Sequence, residues 1–114
     1  MDANAVQQAI REGKSIAGQD FSGADLRDVD FSGADLTGCN FKEANLSGAN
    51  LSNTKLIKCD LRLANLSQSN LMDADLSGSK LRRANLTGSI RLGATIKASA
   101  LKGAYITGPT AYTD

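Results

Sequence analysis

The sequence predicts an all-β solenoid, a chain wound in successive turns around its own side chains. Large apolar residues recur every five positions from Ile16 to Ile106, and each is called here the centre of its repeat. A small residue stands two positions before almost every centre, and ten of the eleven glycines stand two positions after one. Such self-similarity over nearly the whole chain indicates a repeat architecture.

The five-residue period fits neither an α-helix nor a flat strand. A step of five advances about 500° around a helix, so the centres would wind over every face. In a strand an odd step places successive centres on opposite sides. All centres share one side only if the chain turns a corner in the same sense once per repeat. Glycine, Asn and Asp tolerate such tight turns and stand at the expected corners.

The period alone does not give the number of sides in a turn. Several identities recur at a spacing of twenty, which favours four sides: Phe21 with Phe41, Cys39 with Cys59, and Ser79 with Ser99.

Repeats such as "ADLTG", "ANLSG", "ADLSG" and "ANLTG" resemble the pentapeptide repeat family, whose pattern is A(D/N)LXX. The resemblance extends from about Gln19 to Gly108, or eighteen pentapeptides. It implies a right-handed quadrilateral β-helix with four pentapeptides per coil, which gives this chain about four and a half coils.

We predict three segments: a capping helix and connector at 1–15, the solenoid at 16–108 and a tail at 109–114. Residues 3–12 read as a short amphipathic helix with Asp2 as N-cap and Val6 and Ile10 on one face. Gly13 suits its C-terminal end. This helix is expected to cover the first coil, because an open solenoid end exposes core and unpaired backbone groups.

Arg91 stands at a centre, where every other repeat has Leu, Phe or Ile. Because burying a guanidinium is unfavourable, we expect a local distortion in which the backbone twists or the side chain bends outward along its stem. The register of small residues is expected to continue through the next repeats, at Ser89, Ala94, Ser99 and Ala104.

The C-terminal end has no comparable lid in the sequence. Either the tail folds across the last coil with Tyr112, or a second copy covers this end, as the resemblance implies for some members. Met72 and Leu92 are twenty apart and Ile90 is nearby, so they are predicted to form an exposed apolar patch that could mediate a homodimer.

The chain offers little for catalysis, and we predict no enzyme activity, no cofactor and no metal site. It has no histidine, no phosphate-binding glycine motif and no four-ligand zinc spacing. Cys39 and Cys59 are expected to stack inward as small hydrophobic residues. Four aspartates spaced by five should lie at solvated corners on four different sides: Asp20, Asp25, Asp30 and Asp35.

The formal net charge is +1, but residues 1–40 carry −4 and residues 41–114 carry +5. Basic residues twenty apart should form an outward column, with two more beside it: Lys42, Arg62, Arg82 and Lys102, then Lys80 and Arg83. The column could dock an acidic protein surface or bind a polyanion. Alternatively it is a solvated face whose repulsion Asp60 and Glu43 relieve.

These observations favour a non-enzymatic scaffold that binds another protein. The alternatives are polyanion binding through the column and DNA mimicry toward DNA gyrase or topoisomerase, which the resemblance implies for quinolone-resistance members. Mimicry and nucleic-acid binding are disfavoured by the short length and near-neutral charge. With no targeting signal and no apolar run of about 18 residues, we expect a cytoplasmic protein without a membrane partner.

Overall fold

The computed structural model describes residues 1–106, and these wind into a solenoid with twenty residues per turn. Thirteen parallel β-bridges each join residues twenty apart, from Asp20↔Asn40 to Asn85↔Tyr105. Each side of a coil contributes a single bridge, and no longer strand forms within residues 1–106. The described helices are α1 (Ala3–Arg11) and α2 (Ala98–Leu101).

The centres and the small residues before them fill the interior of the coils. Every centre from Phe21 to Leu86 is buried, and so is the small residue before most of them. The rings of Phe21 and Phe41 stack with centroids 5.3 Å apart, and Phe31 meets Phe41 edge-on at 6.3 Å. Burial of this apolar column is the main driving force for folding, at roughly 25 cal/mol per Å².

Backbone hydrogen bonds join each coil to the next. The N–H of Leu46, a centre, donates to the carbonyl of Asn65 at 2.7 Å, and the N–H of Gly48 donates to Ser67 at 3.0 Å. The residue before a centre donates in the opposite direction, as Asn65 does to Ala44 at 2.9 Å. Each side therefore depends on the coils above and below it.

The corners explain why the repeat requires Asp, Asn and glycine. The carboxylate or amide before a centre accepts the backbone N–H two residues later, as Asn65 Oδ1 does from Ser67 at 3.0 Å. The residue two positions after the centre has a positive φ, for example +70° at Gly48. Glycine adopts this conformation without steric penalty, which accounts for its position in the repeat.

Helix α1 packs across the first coil. The Asp2 carboxylate accepts the N–H of Ala5 at 2.8 Å, and Val6 and Ala9 are buried against the solenoid. The Gln7 side chain donates to the carbonyl of Asp30 and accepts its N–H, both at 2.9 Å. Gln7 thus supplies the pair of bonds that a further coil would have made to this residue.

The expected distortion at Arg91 is absent, and that prediction was wrong. Arg91 is 2% exposed and occupies the centre position, while the flanking bridges Asn70↔Ile90 and Asp75↔Thr95 keep the regular register. The Arg91 side chain therefore stays inside the coil, and the backbone around it keeps the regular winding.

The repeat is interrupted seven residues after Arg91, where α2 begins. Residues 98–101 form α2, Ser99 is exposed instead of facing the core, and no bridge joins Lys80 to Ala100. The small-residue register resumes at Ala104, followed by the bridge Asn85↔Tyr105. The expected contribution of Tyr112 and the tail at 109–114 lies outside the described residues.

Candidate functional site

Four cationic side chains and one leucine gather on a single side of the solenoid. We call this surface the basic face: Lys42, Arg62, Arg82 and Arg83 around Leu63, lining a shallow groove of about 300 Å³. Leu63 is 46% exposed and Arg83 has a φ of +61°, so both stand at corners that project outward. The repeat of twenty places these residues one above another.

Arg62 is the one member of the basic face that the structure joins to a carboxylate among the described residues. Its Nε and Nη2 atoms donate to Asp60 at 2.9 and 2.7 Å, in a bidentate pair. Hydrogen bonding from Arg62 lowers the pKa of Asp60, and the nearby charge of Lys80 lowers it further. Glu43, also expected to relieve the column, makes no ion pair within residues 1–106.

Lys102 and Lys80 line a second, larger cavity beside the basic face. We call it the basic cleft; it has a volume of about 740 Å³ and lies between α2 and the coil below. Its cationic wall residues are Arg62, Lys80, Arg82, Lys97 and Lys102. Neither Lys97 nor the cleft was predicted from the sequence. A signal was available, because no Asp or Glu occurs between Leu76 and Ile106.

The three residues of the predicted apolar patch point outward. Met72, Ile90 and Leu92 are 36, 40 and 41% exposed, respectively. Tyr105 and Ile106, at the end of the described chain, are also exposed. Because one turn contains twenty residues, Met72 and Leu92 lie half a turn from Arg62 and Arg82, on the opposite side of the solenoid.

The four aspartates of the first coil serve their own corners and do not converge. Each carboxylate accepts the backbone N–H two residues later, at 2.9 to 3.3 Å. Hydrogen bonds from the side chain and backbone of Ser22 lower the pKa of Asp20, and those from Arg27 lower that of Asp25. These carboxylates stabilise turns and form no shared site.

The two cysteines are buried free thiols in adjacent coils. Cys39 Sγ donates to the carbonyl of Ile16 at 3.2 Å, and Cys59 Sγ donates to Leu36 at 3.0 Å. Burial raises the pKa of both thiols, that of Cys59 to about 12. A thiol with so high a pKa is a poor nucleophile at neutral pH.

Residues 1–106 contain neither a candidate metal site nor a candidate membrane-spanning helix. No group of three or more His, Cys, Asp or Glu side chains is placed to hold a metal ion. Neither described helix has the length and apolar character needed to cross a bilayer.

The sequence pattern of the family described as "Pentapeptide repeats" matches this chain in eight copies, over residues 20–56 and 49–88. A search of curated protein sequences returns no significant match.

Solved structures provide a second comparison. A pentapeptide repeat protein from Nostoc PCC 7120 is 29% identical with a TM-score of 0.71, covering 94% of this chain and 98% of its own. One from the thylakoid lumen of Arabidopsis thaliana is 31% identical with a TM-score of 0.40, covering 81% and 74%. QnrB1, a plasmid-mediated fluoroquinolone resistance protein, is 21% identical with a TM-score of 0.46, covering 89% and 61%.

The family pattern matches more than half of the chain. The Nostoc structure has the same fold as this chain over nearly the whole length of both proteins. Such neighbours imply the right-handed quadrilateral β-helix. The chain belongs to the pentapeptide repeat family.

Proposed function

We propose that this protein is a non-catalytic scaffold that binds an acidic surface of another protein through its basic face. The observation that carries the proposal is the stacking of Lys42, Arg82 and Arg83 around the exposed Leu63. An exposed apolar residue surrounded by cations matches the anatomy of a protein interface, in which an apolar centre has a charged rim. Members of the family are generally structural or interaction modules, which agrees with this role.

The rigidity of the coils supports recognition by this face. Backbone hydrogen bonds hold the corners at residues 43, 63 and 83 to their neighbours, as in the donation from Leu63 to Arg82 at 3.0 Å. A preformed surface loses little conformational entropy on binding. Complementary charge would mainly increase the association rate and exclude wrong partners.

A charge-reversal experiment tests the proposal. Affinity capture with the wild-type chain is compared with a Lys42→Glu/Arg83→Glu variant and with a Lys55→Glu/Lys58→Glu variant, which has the same charge change outside the basic face. A partner bound by the wild type and the control, but lost by the first variant, supports the proposal. Equal capture by all three proteins rejects it.

A purified partner then allows a titration at increasing NaCl concentration. Because exposed charges are screened over about 10 Å at 0.1 M salt, the affinity should fall as salt rises. Insensitivity to salt would contradict an electrostatic interface.

We do not extend the proposal to DNA mimicry, because basic side chains occupy the repeated outward positions of the C-terminal half. A gyrase supercoiling assay with excess protein checks this exclusion, and inhibition would reverse it. We further propose a cytoplasmic location, for which the two buried free thiols are the support.

A further inference from the structure

The basic cleft exists because α2 leaves the regular winding of the solenoid. In the regular coils the residue before a centre donates its N–H to the coil below, as Lys80 does to Cys59 at 3.0 Å. Ala100 holds the equivalent position, but its N–H donates to the carbonyl of Lys97, the N-cap residue of α2, at 2.9 Å. The side of the coil under α2 is therefore left uncovered.

Two backbone N–H groups lose their acceptors at this break. In the preceding coil the equivalent groups, those of Lys58 and Leu61, donate to the coil above at 2.8 Å. The N–H groups of Gly78 and Leu81 have no acceptor within residues 1–106, and both residues line the cleft. The carbonyl of Ser79 has no backbone donor within the same described residues, so the break leaves two donors and one acceptor without backbone partners.

The charge of the cleft favours anions. Its walls contain five cationic side chains and no carboxylate. Asp60, which does not line the cleft, pairs with Arg62, and its charge also interacts with that of Lys80. Within residues 1–106, Lys80, Arg82, Lys97 and Lys102 have no ion-pair partner. Like charges gathered in one cavity repel each other unless an anion compensates them.

We propose that the basic cleft binds a small anion with several phosphate groups, either a free oligophosphate or the triphosphate of a nucleotide. Backbone N–H groups together with Lys and Arg side chains are the donors that proteins use for phosphate oxygens. The cavity of about 740 Å³ is in the size range of small-molecule sites. No aromatic side chain lines it, so the phosphates rather than a stacked base should supply the affinity.

This inference is separate from the proposed scaffold role. The cleft depends on Lys80 and Lys97, whereas the scaffold test changes Lys42 and Arg83, which do not line the cleft. The Lys42→Glu/Arg83→Glu variant should therefore lose its protein partner and still bind tripolyphosphate. Each proposal can fail without the other.

Calorimetric titration with tripolyphosphate at constant ionic strength provides the first test. A Lys80→Gln/Lys97→Gln variant should bind at least about tenfold more weakly, the effect of losing one or more charge-assisted contacts. The control is Lys14→Gln/Lys55→Gln, which removes the same charge away from the cleft and should leave the affinity within about twofold. An equal loss in both variants overturns the proposal.

Amide chemical shifts in a ¹⁵N-labelled sample provide the second test. The Gly78 and Leu81 amides should shift most during the titration, because they are the donors left without acceptors. If neither amide shifts while those around Leu63 do, the proposal is overturned.

Three further ligands distinguish a free oligophosphate from a nucleotide and from nucleic acid as the anion that binds. ATP binding as tightly as tripolyphosphate supports the phosphate chain as the whole determinant, and ATP binding at least tenfold tighter supports a nucleotide. AMP binding as tightly as tripolyphosphate overturns the requirement for several phosphates. Duplex DNA binding more tightly than tripolyphosphate, with loss on Arg83→Gln, overturns a small-anion site in favour of nucleic acid.

Discussion

Cys59 shows how the interior of a solenoid changes the pKa of one small side chain. Its Sγ–H donates to Leu36, and its backbone N–H donates to the hydroxyl of Ser79 at 3.0 Å. Alanine holds the equivalent position in nine repeats, so the interior of the coils has room for a methyl group there. The thiol is consequently a tolerated variation of the repeat.

We predict that the stability of the wild-type chain falls above pH 9 and that Cys59→Ala reduces this fall. Burial raises the folded-state pKa of Cys59 to about 12, from an ordinary value of 9.0. The stabilisation from holding the proton is complete below pH 9 and is lost as the pH rises toward 12. The slope for one such thiol reaches about 1.4 kcal/mol per pH unit.

Urea denaturation at pH 8, 9 and 10 in the presence of a reductant measures this slope. Cys39→Ala is the comparison variant, because burial also raises the pKa of Cys39 and the neighbouring Cys39 contributes to the raised pKa of Cys59. Equal slopes in the wild type and Cys59→Ala would contradict the assignment.

At the residue level the sequence predicted the corners well and Arg91 poorly. The spacing of Asp and Asn before each centre indicated turns, and the carboxylates of the first coil accept N–H groups at those turns. We expected a distortion at Arg91 because burial of a guanidinium is unfavourable, and the sequence alone does not show what surrounds that side chain. The side chain instead remains at a buried centre, and the bridges on either side of it keep the regular register.

Helix α1 is held to the first coil by one polar side chain as well as by apolar contact. We predict that Gln7→Ala lowers the free energy of unfolding by about 1–2 kcal/mol, because Asp30 loses both of the bonds that Gln7 makes to its backbone. Gln8→Ala is the control. Within residues 1–106 the Gln8 side chain bonds only Glu12, the C-cap residue of α1, so its loss should change stability much less.

Denaturant titration measures the stability difference between these two variants. Hydrogen exchange at the Asp30 amide should accelerate in Gln7→Ala alone. Similar exchange in both variants would show that apolar packing of Val6 and Ala9 is sufficient to hold the helix.

Helix α2 was not predicted, because each departure from the repeat in this region is mild by itself. Thr95 replaces the usual Asp or Asn, and Ala98 stands where a positive φ is required. The corner at Ile57 and Lys58 lacks the same features, yet hydrogen bonds from Gly38 and to Ser77 hold it from both sides. At Ala98 no such support exists within residues 1–106, and alanine favours helix.

We predict that Thr95→Asn/Ala98→Gly restores a regular corner. The residues of α2 would then form a regular side of the solenoid. The Gly78 and Leu81 amides would then gain acceptors in the coil above, and their hydrogen exchange should slow. Thr95→Ser/Ala98→Ser is the control, because it provides neither the amide acceptor nor glycine. Unchanged exchange in the first variant would show that other residues determine the helix.

For the whole molecule the sequence predicted the winding and left the surfaces undecided. Twenty-residue recurrences indicated four sides, and every described bridge joins residues twenty apart. The order of outward residues around the coil followed directly from that spacing. The basic cleft did not, because it depends on where the winding is interrupted and not on the repeat itself.

The exposed apolar residues near the C-terminal end lead to a prediction about assembly. We expect a homodimer through Met72, Ile90 and Leu92, since contiguous exposed apolar surface often marks a contact. Leu92→Arg should shift the protein toward monomer in sedimentation velocity, whereas Leu63→Arg, on the basic face, should not. A wild-type chain that is monomeric at all accessible concentrations would contradict this expectation.

The bridges between residues twenty apart also determine how the protein tolerates changes in length. Inserting one pentapeptide before residue 60 would rotate everything downstream by a quarter turn, moving Arg82 off the flank it shares with Lys42. Inserting four pentapeptides would add one complete coil and restore the alignment of Arg82 with Lys42. Duplication can therefore lengthen such a chain by any number of whole coils. Only insertions that are multiples of twenty residues preserve a binding surface that spans several coils.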